Sequence, residues 1–197
     1  DNDVLLDLLI ASGAYPDGQY LRLFRQSRPG VFEDVTDKAG FNWESSAGIS
    51  VADYDRDGRL DILAGRSWMR IPAERRATKL PEPALFRNML QNGNHWLEVT
   101  LRGSGAGGAN TSAIGARVTL TSGGHQQMRE VQDSGGHRGQ ANSFTLHFGL
   151  GKAVKADKLE IRWGGRGGAT VFYDVPADRF AYVDEAADGL DLEPAAK

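Results

Sequence analysis

The chain has 197 residues, 40% of them hydrophobic and 25% charged, with a net charge of −3, 25 glycines and no cysteine. That length buries one large core or two small ones; without cysteine no disulfide supports it, and no stretch approaches the roughly 18–20 apolar residues of a membrane span. Charge is uneven: the first 61 residues hold twelve acids and six bases (−6), residues 62–140 five and ten (+5), and the remainder nine and seven (−2).

The first element is a run of spaced acids, Asp1-Asn-Asp3-Val-Leu-Leu-Asp7, leading into the apolar Leu8-Leu-Ile10. Shifted by 54 residues it lies over Asp55-Arg-Asp57-Gly-Arg-Leu-Asp61. Leu23-Phe-Arg-Gln26 returns as Leu85-Phe-Arg-Asn88 at a spacing of 62, which leaves room for an eight-residue insertion near Met69–Arg76. A period of this size points to blades or stacked units. One and a half units cannot close a ring and leave sheet edges exposed. The missing blades are expected on another chain or segment, or the piece packs on its own C-terminal half. The partner of Asp53 would precede residue 1, so the native polypeptide is expected to extend upstream and supply an Asp two residues before Asp1.

Asp53-Tyr-Asp55-Arg-Asp57-Gly58-Arg59-Leu-Asp61 is the complete copy of this loop. Alternate residues of a tight loop point inward, so Asp53, Asp55 and Asp57 are expected to converge. Gly58 permits the sharp turn, the Arg59 carbonyl adds an oxygen, and Asp61 closes the site. Ca²⁺ takes six to eight oxygen ligands at about 2.3–2.6 Å, and four carboxylates this close repel each other without a cation. The pattern is not an EF-hand: its twelfth position is Ala64 rather than Glu. The flanks Ile49–Ala52 and Ile62–Ala64 are short and apolar and read as strands. The first site, Asp1, Asp3 and Asp7, is expected to be incomplete and degenerate, because Val4 stands where the second loop has Gly58.

Arg66, Arg70, Arg75, Arg76 and Lys79 form a basic stretch without interleaved aromatics. A solvated connection is expected there rather than a nucleic-acid surface. Beyond it the chain alternates as strands do. Leu97, Val99 and Leu101 share one face against Glu98 and Thr100; Ala116, Val118 and Leu120 share another. Phe144, Leu146 and Phe148, then Leu159, Ile161 and Trp163, then Val171 and Tyr173 continue the pattern. Turn formers separate these runs at 103–110, 122–124, 134–136 and 164–168. An antiparallel sandwich or barrel follows, with Trp163 in its core and His147 at an outward polar position. Asp133, Ser134 and His137 lie in a glycine-rich turn with no third member in view, so catalysis is not expected. The four histidines lack metal-ligand spacing, and Gly103–Gly108 lacks the Lys-Ser/Thr of a phosphate-binding loop. Residues 186–197 have little to bury and are expected to be mobile.

The pattern Asp-x-Asp-x-Asp-Gly-x-x-Asp, then an apolar strand, then Leu-Phe-Arg-Asn, resembles the FG-GAP/VCBS repeats of integrin-type β-propellers. Residues 85–185 resemble the ASPIC/UnbV domain through Asn110–Val118, Arg129–Gly136, Leu146–Gly151, Leu159–Trp163 and Val175–Asp178. Gly164 departs from the Pro that family members often carry after the tryptophan. The expected protein is all-β: an FG-GAP/VCBS-type repeat region over 1–84, an ASPIC/UnbV-like sandwich over 85–185 and a flexible tail over 186–197. The resemblance implies structural Ca²⁺ and a secreted, cell-surface or periplasmic module that engages protein or glycan, with neither nucleic acid nor a membrane span involved. Two alternatives stand beside it: an enzyme or accessory protein in enediyne-type natural-product biosynthesis, and a structural subunit of a larger surface assembly.

Overall fold

Short apolar runs punctuated by glycine-rich turns give fourteen strands among the described residues, numbered here in chain order. The computed structural model describes residues 1–12, 19–44, 46–68, 71–133, 142–165, 168–187 and 189–196. Strands β1 (Leu8–Ile10), β2 (Arg22–Arg28) and β3 (Val31–Asp34) form one antiparallel sheet, and β4 (Ser46–Ala52), β5 (Asp61–Arg66) and β6 (Pro83–Phe86) a second. Two four-stranded sheets follow. The first, in the order β10-β7-β13-β14, joins Leu146–Gly151, His95–Arg102, Arg179–Asp184 and Gly189–Pro194. The second, β12-β11-β8-β9, joins Ala169–Pro176, Lys155–Arg162, Arg117–Ser122 and His125–Glu130. No described helix is long and apolar enough to cross a membrane.

The two small sheets are the expected repeat, and their registers coincide. Leu8 pairs with Phe24 and Leu9 with Leu23 in the first; Ile62 pairs with Phe86 and Leu63 with Leu85 in the second. Leu9 and Leu23 pack against Ile49, Ile62, Ala64 and Phe86, with Leu21, Phe41 and Trp43 filling the joint. The Phe41 and Phe86 rings meet edge to face at 4.9 Å between centroids. The basic stretch is not a solvated connection. Arg75 donates to both oxygens of the buried Glu44 at 2.7 and 2.5 Å, and Lys79 approaches it to 3.6 Å. A fully buried carboxylate needs such partners to remain charged. Arg66 lies over the Trp43 ring at 3.7 Å and pairs with Glu82. Arg70 lies outside the described residues, as do Ser134 and His137.

The larger sheets pack face to face. Leu97, Val99, Leu101, Leu146, Phe148 and Val183 from one meet Val118, Leu120, Leu159, Ile161 and Val175 from the other. Trp163 is buried among them as expected, and its indole N–H donates to Thr170 Oγ1 at 2.9 Å. The sandwich is antiparallel except at its centre, where β7 and β13 run parallel.

Several expectations are corrected. The boundary at 84/85 falls inside β6, whose Leu85 and Phe86 pair with β5; the sandwich starts at His95. Residues 189–194 are not a loose tail but strand β14, paired along β13 from Asp184↔Gly189 to Arg179↔Pro194, with Leu190 packed on the core. On β12 the inward side chains are Phe172 and Val175, while Val171 and Tyr173 face solvent. Phe172 sits opposite the buried Leu159, and Tyr173 opposite Lys158, so the neighbouring strand decides which of two alternating sets turns inward. Phe144 precedes β10 and is exposed.

Candidate metal centre

The loop between β4 and β5 brings Asp53, Asp55 and Asp61 together. One carboxylate oxygen from each lies within 4.8 Å of the others. Backbone amides fix the loop from inside: Asp53 accepts from Asp57 N at 3.0 Å and Gly58 N at 2.7 Å, and Asp57 accepts from Arg59 N at 3.0 Å. Asp61 accepts from Tyr54 N at 3.3 Å and Asn88 N at 2.7 Å. These bonds need φ of +60° at Arg56 and +85° at Gly58, the left-handed region that glycine enters without strain. Asp57, placed in the ligand set by its spacing, is held by the Arg59 guanidinium, with Arg87 3.6 Å away. The Arg59 side chain donates from Nε to the Asn88 carbonyl at 2.8 Å.

Electrostatics mark the cluster as short of positive charge. Burial is the main cause that pushes Asp53 up to about 6, and the charges of Glu98 and Asp57 add to it. Burial also raises Asp61 above the ordinary carboxylate value, with Asp55 and Asp57 contributing. Both oxygens of Asp55 are covered from solvent and lack an aligned hydrogen-bond donor. Arg87 Nη2 stands 2.6 Å from Asp55 Oδ2, an ion pair whose alignment falls short of a hydrogen bond. An anion stripped of water without a donor is costly. Three carboxylates around such an oxygen pair fit a hard divalent cation by donor type.

The first loop repeats this frame. Val4 has φ +81° where Gly58 has +85°, and Asn2 has +62° where Arg56 has +60°. Asp1 accepts from Asp3 N, Asp3 from Leu5 N at 3.0 Å, and Asp7 from Gln26 N at 2.9 Å. Arg25 binds Asp1 at 2.8 Å and reaches Asp3 at 3.6 Å, as Arg87 does Asp55 and Asp57. Asp1, Asp3 and Asp7 do not form a convergent carboxylate group among the described residues.

Both loops stand on the outer face of the β10-β7-β13-β14 sheet. Asn2 is the bridge: its Nδ2 donates to Gly58 O at 2.9 Å, and its Oδ1 meets His147 Nε2 at 2.7 Å. His147 Nδ1 lies 2.9 Å from Glu98 Oε1. Since Asn2 Oδ1 can only accept, His147 donates from Nε2. His147 takes the expected outward polar position, but the first loop covers it and leaves it nearly buried. Gly149 N–Cα–C geometry leaves its missing Cβ 2.6 Å from Asn2 Cα, and Gly151 N donates to Asn2 O at 2.8 Å. A Cβ on Gly58 would overlap the Trp96 indole. Trp96 in turn meets Phe180 at 4.9 Å, and Arg56 lies 4.2 Å over the Phe180 ring. A cavity of about 160 Å³ remains at this junction, lined by Asp53, Glu98, Thr100, His147 and Tyr182 among others.

Arg87, Asn2, Trp96, Glu98 and His147 carry roles that spacing alone did not reveal. The signal for Arg87 was present in the echo of Leu-Phe-Arg-Gln by Leu-Phe-Arg-Asn, whose arginine serves the same carboxylates in each copy. Residues 1–64 match the FG-GAP-like repeat family, and residues 105–189 match the ASPIC and UnbV family. The chain carries an FG-GAP-like repeat followed by an ASPIC and UnbV domain. It is 29% identical over 175 residues to Cartilage acidic protein 1 of Homo sapiens, covering 83% of this chain and 23% of that protein. The chain thus spans about a quarter of the curated relative it matches. The FG-GAP-like match contains both acidic loops, and the ASPIC and UnbV match contains most of the sheet pair on which they stand.

Proposed function

We propose that this chain is a calcium-stabilised extracellular binding module that engages protein or glycan. The observation that carries the calcium reading is the convergence of Asp53, Asp55 and Asp61, with the buried oxygens of Asp55 ion-paired to Arg87 but accepting no hydrogen bond. Ca²⁺ would be held by these three carboxylates and would supply the charge that the loop lacks. FG-GAP-like repeats with such a carboxylate cluster suit calcium. The similarity to a protein named for cartilage, an extracellular tissue, supports a setting outside the cell. The ion is structural in this reading: it fixes the loop that meets Trp96 and so couples the repeat region to the sandwich.

Thermal melts with calcium and with a chelator test the metal. Calcium should raise the melting temperature and magnesium should restore it poorly, because Mg²⁺ demands a smaller octahedral site. An unchanged melt would overturn the reading. Binding to arrayed extracellular glycans and matrix proteins, with and without chelator, tests the module. Ligand capture that ignores the chelator would separate binding from the ion.

The open faces of the two small sheets favour a second reading, a subunit of a larger surface assembly. Leu8 and Ile10 at one end and Leu63 and Leu85 at the other are exposed.

A further inference from the structure

Two arginines meet the carboxylates of the second loop, and they are held differently. Arg59 is fixed: its Nε donates to the Asn88 carbonyl at 2.8 Å while its guanidinium pairs with Asp57, and its side chain is 25% exposed. Among the described residues, Arg87 is tethered by charge. Its Nη2 stands 2.6 Å from Asp55 Oδ2 and 3.6 Å from Asp57 Oδ2, and its side chain is 49% exposed. The contact with Asp55 is not aligned as a hydrogen bond. Arg25 repeats the placement in the first loop, 2.8 Å from Asp1 and 3.6 Å from Asp3, with the same exposure. The repeat therefore sets a half-exposed guanidinium on corresponding carboxylates in each copy. Asp55 is also one of the three carboxylates that converge. A guanidinium on Asp55 and a divalent cation shared by Asp53, Asp55 and Asp61 carry like charge at close range, and they repel each other.

We propose that Arg87 is a latch on the second loop: its guanidinium holds Asp55 in competition with a divalent cation and turns into solvent when the three carboxylates take that cation. The inference rests on the calcium reading and adds what sets the affinity of the site. Arg87 suits the role because its pair is weak enough to break. A half-exposed ion pair without aligned hydrogen bonds contributes little, and the open end of the side chain has water to move into. Arg59 does not suit it, since its bond to Asn88 and its partial burial keep it on Asp57. The latch lowers the apparent affinity by the fraction of chains in which Asp55 is free. It also offsets part of the repulsion among the carboxylates in chains without the ion, so the same side chain that weakens binding stabilises the calcium-free loop.

Calcium titration calorimetry on the whole chain, beside thermal melts in chelator and in saturating calcium, reads it out. Arg87→Gln should bind calcium roughly two- to fivefold more tightly than wild type, the range an exposed ion pair of this kind accounts for. In chelator the same variant should melt below wild type, and saturating calcium should close that gap. Arg56→Gln is the control for charge acting through space. Arg56 belongs to the same loop, but it pairs with Glu193 and lies over Phe180 rather than on the carboxylate group, so its loss should leave the affinity close to wild type. An affinity that Arg87→Gln leaves unchanged or weakens, a chelator melt that it leaves unchanged, or an equal gain from Arg56→Gln would each overturn the latch while calcium binding stands. No calcium heat from wild type or from Arg87→Gln would remove the calcium reading itself, and the latch with it. Arg87→Met, which keeps an aliphatic stem, gives the same comparison if Arg87→Gln melts too low to titrate.

Discussion

The two acidic loops share one backbone but differ in what holds them. The second has Asp53 ahead of its Asp55–Asp61 core, and Asp53 closes the turn by accepting the Asp57 and Gly58 amides. The first repeats the Asp3–Leu5 and Asp7–Gln26 bonds and the arginine pairing, but Asp1 takes the Asp3 amide whose counterpart, Asp57 N, goes to Asp53; it enters the left-handed turn with Val4 and rests on β10 through Asn2. Backbone conformation is thus specified by the spacing of acids and by the Leu-Phe-Arg strand behind them. The turn glycine removes strain rather than creating the turn.

Exchanging the turn residues gives the largest effect. Gly58→Ala places a side chain at φ +85° and into the Trp96 ring, so strain and overpacking together should cost roughly 3 kcal/mol or more. Chemical denaturation would show it as a lower midpoint, and an unchanged midpoint would mean that the loop can leave the sandwich freely.

Calcium comes next. At a hundredfold excess over Kd the bound ion adds about 2.7 kcal/mol. Asp55→Ala should abolish that gain, whereas Asp57→Ala, whose carboxylate is already held by Arg59, should retain more of it. Titration calorimetry on both variants separates them. The calcium-free chain should also respond to pH. Asp53 is raised from 3.8 to about 6, so within that window the folded chain keeps a proton that the unfolded chain has released. Stability without calcium therefore falls as pH climbs from about 4 to 6, while stability with calcium rises, because the cation needs the ionised carboxylate. Melting curves over that range with both conditions check the opposite slopes.

Asn2→Gly keeps the left-handed backbone accessible and deletes only the side-chain bridge to Gly58 and His147. Leaving His147 Nε2 without its acceptor should cost roughly 1–2 kcal/mol. The smallest effect runs the other way. Val4→Gly relieves a β-branched residue at φ +81° and should stabilise the chain by roughly 1 kcal/mol after the added unfolded-state entropy of glycine. A destabilised Val4→Gly would show that what the Val4 side chain packs against outweighs the strain.

Much of this arrangement was legible from the order of residues. Carboxylate spacing marked the loop, and the two echoes at 54 and 62 gave the duplicated sheets and located the insertion. Period-two alternation gave the core faces of β7, β8 and β11. What escaped was everything decided by a second surface. Glu98 was assigned outward because it alternates with Leu97 and Val99, yet β7 is covered on both sides and Glu98 is 6% exposed. His147 faces outward as its alternation with Phe148 implies, yet the first loop covers it. The basic stretch looked solvated because its partner, Glu44, lies more than thirty residues away from Arg75 in the order of side chains, a pairing no local pattern encodes. Strand β14 was missed because Leu190 and Leu192 alternate over too few residues to outweigh the acids between and after them.

The parallel pairing of β7 with β13 has a consequence for how the chain reaches this state. Arg179 lies beside Leu97 and Asp184 beside Arg102, strands that leave the ribosome at opposite ends of the sandwich sequence. β7 emerges early but stays without its central neighbour until nearly the whole domain has been synthesised. Such distant contacts slow folding, because loop closure precedes any gain from pairing. The platform beneath the acidic loops is therefore among the last parts to form. A chain cut before residue 179 keeps its repeats but has no completed sheet for them to stand on.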